Sequence, residues 1–197
     1  MSQASKAFPG WRVAIVTCGL IITASTGGHA QLAAAIPAYY QGLFFDAARM
    51  GRVDLLEGMI RDGMAVDAQD ARGYTALILA SYDGHADAVA LLLRDGADAC
   101  VKDPKGDNAL MGVAFKGEAA IAEMLIPHCN VNATNKEGQS AAMMGALFGH
   151  EDIVRLLVNH GARLGLKDAS GNTALSLARQ QGNTKMRTLL ESLPQTP

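Results

Sequence analysis

Asp70-Ala-Arg-Gly-Tyr-Thr-Ala-Leu77 carries the architecture of this chain, because its pattern returns three more times. The later copies read Asp103-Pro-Lys-Gly-Asp-Asn-Ala-Leu110, Asn135-Lys-Glu-Gly-Gln-Ser-Ala-Ala142 and Asp168-Ala-Ser-Gly-Asn-Thr-Ala-Leu175. Their glycines, Gly73, Gly106, Gly138 and Gly171, are 33, 32 and 33 residues apart. A second series, Gly51, Gly84, Gly117, Gly149 and Gly182, runs at 33, 33, 32 and 33. Both series lose one residue in the third repeat, as a single deletion there requires. A period of this length marks a stacked array of supersecondary units.

Within each copy the residues have separate physical jobs. Asp or Asn followed by Gly three residues on is turn chemistry, the acid or amide bonding the backbone ahead of it. Thr75, Asn108, Ser140 and Thr173 then stand where an N-cap belongs, before a short apolar helix. Gly84, Gly117, Gly149 and Gly182 end that helix and let the chain reverse. A second helix follows, its apolar residues expected on the inner side: Val89, Leu91, Leu92 and Leu93; Ile121, Met124, Leu125 and Ile126; Ile153, Val154, Leu156, Leu157 and Val158. Gly96-Ala97 and Gly161-Ala162 close it. Helices of two to three turns are not stable alone in water, so stacking must bury their apolar faces in one continuous core.

The pattern resembles the ankyrin-repeat family over about residues 39–193. The second repeat shows it best, with Gly73, Thr75-Ala-Leu-Ile78, Ala80-Ser81, Gly84-His85, Ala88-Val89, Leu91-Leu-Leu93 and Gly96-Ala-Asp98. The family's Pro is replaced by Ala76, Ala109, Ala141 and Ala174, and its His by Ile78, Met111, Met143 and Ser176. Those departures remove the usual Thr–His hydrogen bonding and leave a more apolar first helix. The resemblance implies an all-α ankyrin-repeat solenoid of about five helix-turn-helix repeats with short β-hairpin loops. The repeats fall at about 39–69, 70–102, 103–134, 135–167 and 168–193. Leu43-Phe-Phe-Asp-Ala-Ala-Arg-Met-Gly51 looks like an N-terminal capping repeat without its hairpin, and the residues after Gly182 like the C-terminal cap.

Outside the repeats the N-terminus reads differently. Lys6 and Arg12 precede the apolar run Val13–Ser25, and the small residues Gly28 and Ala30 follow. This is the pattern of a secretory signal peptide over residues 1–30, then a linker at 31–38, with a tail at 194–197. The alternatives are an uncleaved anchor, for which a spanning helix wants about 20 apolar residues and the run ends too soon, and a lipid-modified Cys18, against which stand Thr17 before it and the apolar run past it. No membrane association is expected after cleavage. The whole chain has 17 Lys+Arg against 19 Asp+Glu. Without Lys6 and Arg12 it stands at −4, with no basic surplus for phosphates, and nucleic acid is not an expected partner.

Catalytic chemistry has no carrier here. No phosphate-binding Gly-rich loop and no Gly-x-Ser-x-Gly is present. His85 and His150 share one repeat position, where the resemblance implies packing and backbone bonding. His128-Cys129 lacks further ligands at metal-site spacing. The expectation is therefore a non-enzyme with no cofactor and no metal. Cys100 and Cys129 lie near the ends of neighbouring second helices, where equivalent atoms are roughly 10 Å apart. A disulfide needs Cα atoms within about 7 Å, although the deletion near Cys129 could draw the two closer. Free thiols are expected. The alternative is a disulfide closing a loop of about 30 residues, worth ~3–4 kcal/mol.

The expected binding residues are those the resemblance places at the hairpin tips and the ends of the first helices: Arg72, Tyr74, Lys105 and Asp107; Arg49, Met50, Tyr82, Asp83, Phe115, Lys116, Leu147 and Phe148. Tyr82, Phe115, Leu147 and Phe148 are large and apolar beside a turn that is hard to bury, and stacking should line them into one stripe. Such exposed clusters mark interfaces. The alternative is ordinary core packing against the next repeat. The functional expectation is an exported adaptor or accessory factor of an envelope protein, periplasmic or secreted, binding another protein and monomeric when free. Gly106–Gly117 is similar to small exported bacterial ankyrin proteins, some of which accompany catalases in oxidative-stress defence. An inhibitor or immunity protein neutralising a secreted toxin, or a self-associating structural module, are the alternatives.

Overall fold

The computed structural model describes residues 38–194. The expected signal peptide, and nearly all of the linker and tail beside it and at the other end, lie outside the described residues. Ten α-helices follow in antiparallel pairs: α1 (Ala38–Arg49) with α2 (Val53–Arg61), α3 (Ala76–Tyr82) with α4 (Ala86–Arg94), α5 (Ala109–Lys116) with α6 (Ala119–Leu125), α7 (Ala141–Phe148) with α8 (Glu151–Asn159), and α9 (Ala174–Gln180) with α10 (Thr184–Ser192). Odd-numbered helices stack on one another in an inner row, and α2, α4, α6 and α8 form an outer row behind them. No strand occurs among the described residues, only single β-bridges at Gln69–Thr75 and Thr134–Ser140.

The local chemistry repeats with the sequence. Thr75, Asn108, Ser140 and Thr173 each accept the backbone N–H three residues ahead and so cap α3, α5, α7 and α9. Before each cap, one side-chain oxygen of Asp70, Asp103, Asn135 or Asp168 accepts two backbone N–H groups, two and four residues on, at 2.8–3.1 Å. The hairpins also bond to each other, Lys136 N–H to the Lys105 carbonyl at 3.0 Å and Ala169 N–H to the Glu137 carbonyl at 2.8 Å. Small residues set the spacing of the inner row: Ala47, Ala80, Val113, Gly145 and Ala178 share one position and are all buried.

Histidine locks two of the joints. His85 Nε2–H donates to the Arg49 carbonyl at 2.7 Å and His150 Nε2–H to the Phe115 carbonyl at 3.0 Å, each reaching back to the previous inner helix. The ring lies so close to the preceding turn that a Cβ on Gly117 would sit 2.7 Å from the His150 ring. At the same position the other two joints carry Glu118 and Asn183.

The outer helices bury Val89, Leu91, Leu92, Ile121, Leu125, Ile126, Ile153, Val154 and Leu157. Leu93, Met124, Leu156 and Val158, expected on the same side, are only half-buried because they sit at its edge. The missing residue of the third repeat also shows its effect here. α4 and α8 end at glycines, Gly96 and Gly161, whereas α6 runs into a 3-10 turn, Ile126–His128, with Pro127 inside it. Counted back from the turn residue, Cys129 takes the place of Ala97 and Ala162, and Cys100 that of Asn132. The two cysteines are therefore not equivalent atoms one repeat apart, and the spacing of about 10 Å expected for them does not apply. Cys100 Sγ donates to the carbonyl oxygen of His128, next to Cys129, at 3.3 Å. Both cysteines are free thiols.

Candidate protein-binding groove

The inner row and its hairpins enclose a groove of ≈ 500 Å³. Eight of its lining residues come from the expected set: Arg49, Arg72, Tyr74, Tyr82, Asp83, Lys105, Asp107 and Phe115. Along its side runs a row of rings at the ends of α3, α5 and α7. Tyr82 and Phe115 stack with centroids 5.9 Å apart and planes 18° from parallel, and Phe115 meets Phe148 edge-on at 4.3 Å. All three stay open to solvent, at 40%, 36% and 46% exposure. Leu147 stands in the sequence register of Tyr82 and Phe115 but packs half-buried against the core, and Phe148, one residue on, supplies the third ring.

Charges of both signs frame the rings. Lys116 Nζ sits 4.9 Å above the Tyr82 ring and Arg72 lies 5.2 Å from the centroid of the half-buried Tyr74 ring. Arg49 bridges Asp46 at 3.0 Å and Asp70 at 2.9 Å, across the first joint. Burial raises the Asp70 carboxyl, but the N–H groups of Tyr74 and Arg72 and the cations of Arg72 and Arg49 outweigh it and hold the group below the usual carboxylate range. Asp107 goes the other way. Burial, with Asp103 and Glu137 nearby, pushes it up despite the 2.9 Å hydrogen bond from Asn135 Nδ2. That bond makes Asp107 a strut between hairpins as well as a wall of the groove. Asp83 and Lys105 are exposed, while Met50 is exposed beside the turn after α1, outside the groove lining.

Leu79, Gly112 and Met144 line the groove without having been singled out from sequence. Each stands three residues before Tyr82, Phe115 or Leu147, one helical turn back on the same face, and that spacing was the available signal. Gly112 has no side chain, so the wall dips beside Tyr82, whose Cδ2 would lie 3.6 Å from a Cβ placed there. A surface of rings, a thioether and a notch with mixed charges at its rim suits apolar side chains on a polypeptide. Among the described residues, no group of three or more His, Cys, Asp or Glu could hold a metal ion, and no helix is long and apolar enough to cross a membrane.

The same repeats are recognised by comparison with known proteins. A family model described as ankyrin repeats (3 copies) matches residues 43–135 and 110–195, which together take in α2 to α10 and α1 from Leu43 on.

Proposed function

The chain belongs to the ankyrin-repeat family, and from that premise we propose that it is an exported adaptor whose partner docks along the Tyr82–Phe115–Phe148 row. Ankyrin repeats are protein–protein interaction modules, in general without catalytic activity, and they bind other proteins. The observation that carries the finer reading is the row itself. Three adjacent rings from three successive repeats stay exposed, Tyr82 and Phe115 on the wall of a groove and Phe148 beside it, and aromatic anchors of this kind dominate binding energy at interfaces. Export rests on Lys6, Arg12, the apolar run Val13–Ser25 and the small residues Gly28 and Ala30. It places the partner in the periplasm or outside the cell, as an envelope protein served by this accessory factor. The similarity of Gly106–Gly117 to small bacterial ankyrin proteins supports a link with catalase and oxidative-stress defence.

Capture from envelope extract, with mass spectrometry of what is retained, identifies the partner. Phe115→Ala and Phe148→Ala should then weaken capture at least tenfold, ~1.4 kcal/mol each, with the unfolding midpoint little changed. Early melting of both variants, with normal binding by the folded fraction, would assign the rings to the core and move the interface elsewhere.

A further inference from the structure

Three residues before Asp70, Asp103 and Asn135 stands a side chain that reaches into the next repeat. Asp67 accepts the Asp98 N–H at 3.0 Å. Asn132 accepts the Arg163 N–H at 2.8 Å and donates to the Gly161 carbonyl at 3.0 Å. Cys100 holds this position in the second repeat and makes the same reach, its thiol donating at 3.3 Å to the carbonyl of the peptide unit that joins His128 to Cys129. The shortened third repeat brings Cys129 into that joint. Its sulfur accepts Asn108 Nδ2–H at 3.2 Å. Cys100 is exposed and Cys129 half-buried.

From this juxtaposition we propose that Cys100 and Cys129 are a reversible dithiol–disulfide pair that staples the second repeat to the third. The oxidant is a small-molecule disulfide of the glutathione type. Exposed Cys100, as its thiolate, attacks one sulfur of that disulfide, forming a mixed disulfide and expelling a thiolate that takes up a proton. Cys129, after losing its own proton, attacks Cys100 Sγ, breaking the mixed disulfide and expelling the second small thiolate. Two protein thiols are oxidised to one disulfide, and one small disulfide is reduced to two thiols. Burial, and then the hydrogen bond and charge of Cys100, push the Cys129 thiol up to about 12. A thiol raised in this way makes the second attack the slower step, one that quickens as pH rises. Because Asn108 also caps α5 through its Oδ1, the staple ends on the cap of the helix that carries Phe115 at its far end.

The test uses the full chain, reduced and then held in excess glutathione disulfide, quenched with an alkylating reagent and mapped peptide by peptide, so that Cys18 is read separately. The expected product is monomer in which the Cys100 and Cys129 peptides are joined, with a melting midpoint raised by roughly 6–12 °C. Cys129→Ala installs the residue that Ala97 and Ala162 supply in the longer repeats. It should fold, stop at the Cys100 mixed disulfide and lose the midpoint rise. The proposal is overturned if the native chain stops at that mixed disulfide with Cys129 alkylated, if Cys100 links two chains, or if both thiols survive excess oxidant.

Discussion

The α3–α4 and α5–α6 pairs have closely related sequences, yet they keep different parts of the pattern. At the hairpin end they share one scheme: one Asp oxygen accepting two N–H groups, then a capping side chain, Thr75 in one and Asn108 in the other. At the far end they part, α4 running nine residues to Gly96 and α6 seven residues into a 3-10 turn. Inside, Ser81 of α3 takes a place that α5 gives to Ala114. The difference teaches where this architecture is held tightly. Hairpins and inner helices must register with both neighbours and with the groove, whereas the end of an outer helix meets solvent and can lose a residue.

Leu92 and Leu125 are the equivalent, fully buried residues of the two outer helices. Truncating either to Ala should cost about 2–5 kcal/mol, measured by chemical melts. Equal losses would show that the shortened helix is as integral as the full one. A loss at Leu125 below ~1 kcal/mol would break the equivalence and mark the third pair as the weak joint.

Glycine substitutions sharpen the contrast between the two ends. Gly106 and Gly96 both have positive φ, 86° and 90°, so Ala at either costs about 1–2 kcal/mol of backbone strain. At Gly106 the new Cβ would also lie 2.9 Å from the Lys136 nitrogen, whereas Gly96 faces open space. Gly106→Ala should therefore be the more destabilising of the two in the same melts. The reverse order would mean that the hairpin joint is softer than the helix end.

Ser81→Ala should stabilise the protein by about 1 kcal/mol. Ser81 Oγ is the buried side-chain oxygen among the described residues that lacks a hydrogen-bond partner, and Ala48, Ala114 and Ala146 fill the same position in neighbouring inner helices. A lower midpoint in the variant would show that the hydroxyl serves the second pair in a way its neighbours do without.

The smallest expected effect distinguishes the two hairpins by their acids. Asp70 titrates below the ordinary carboxylate range, so its contribution to stability is full above the unfolded pKa of about 3.9 and is lost as pH falls through the folded value. Asp107 titrates above that range, so its contribution is full below the unfolded pKa and is lost as pH rises through the folded value. Carboxyl-carbon NMR titration should place the two on opposite sides of about 3.9. If they titrate together, the hairpins are electrostatically alike.

Periodicity made most of this fold legible. Fourfold repetition identified the turn acids, the caps and the glycines, since a local rule that recurs at fixed spacing cannot be read as accident. The exposed rings of Tyr82, Phe115 and Phe148 were legible too, because a large apolar side chain beside a turn has little to pack against. What escaped depended on neighbours. Leu79 and Met144 read as core by hydropathy, and Leu79 is buried there, but their place along the groove between repeats depends on the neighbouring units. Asp107 reads as a solvated tip until Asn135 of the next hairpin is seen to hold it. The nearness of Cys100 and Cys129 turned on where within the third repeat the deletion falls, which spacing alone limits to the segment between Gly117 and Gly138.

The three rings have one further consequence. Tyr82, Phe115 and Phe148 belong to successive units, so their separations of 5.9 and 4.3 Å gauge the bend at two joints. Opening a joint would slide one ring off the next, and ring-current shifts fall steeply with distance and tilt. The protons of Phe115 thus act as a built-in curvature meter, through which the flexing of the array can be followed in solution with no label attached.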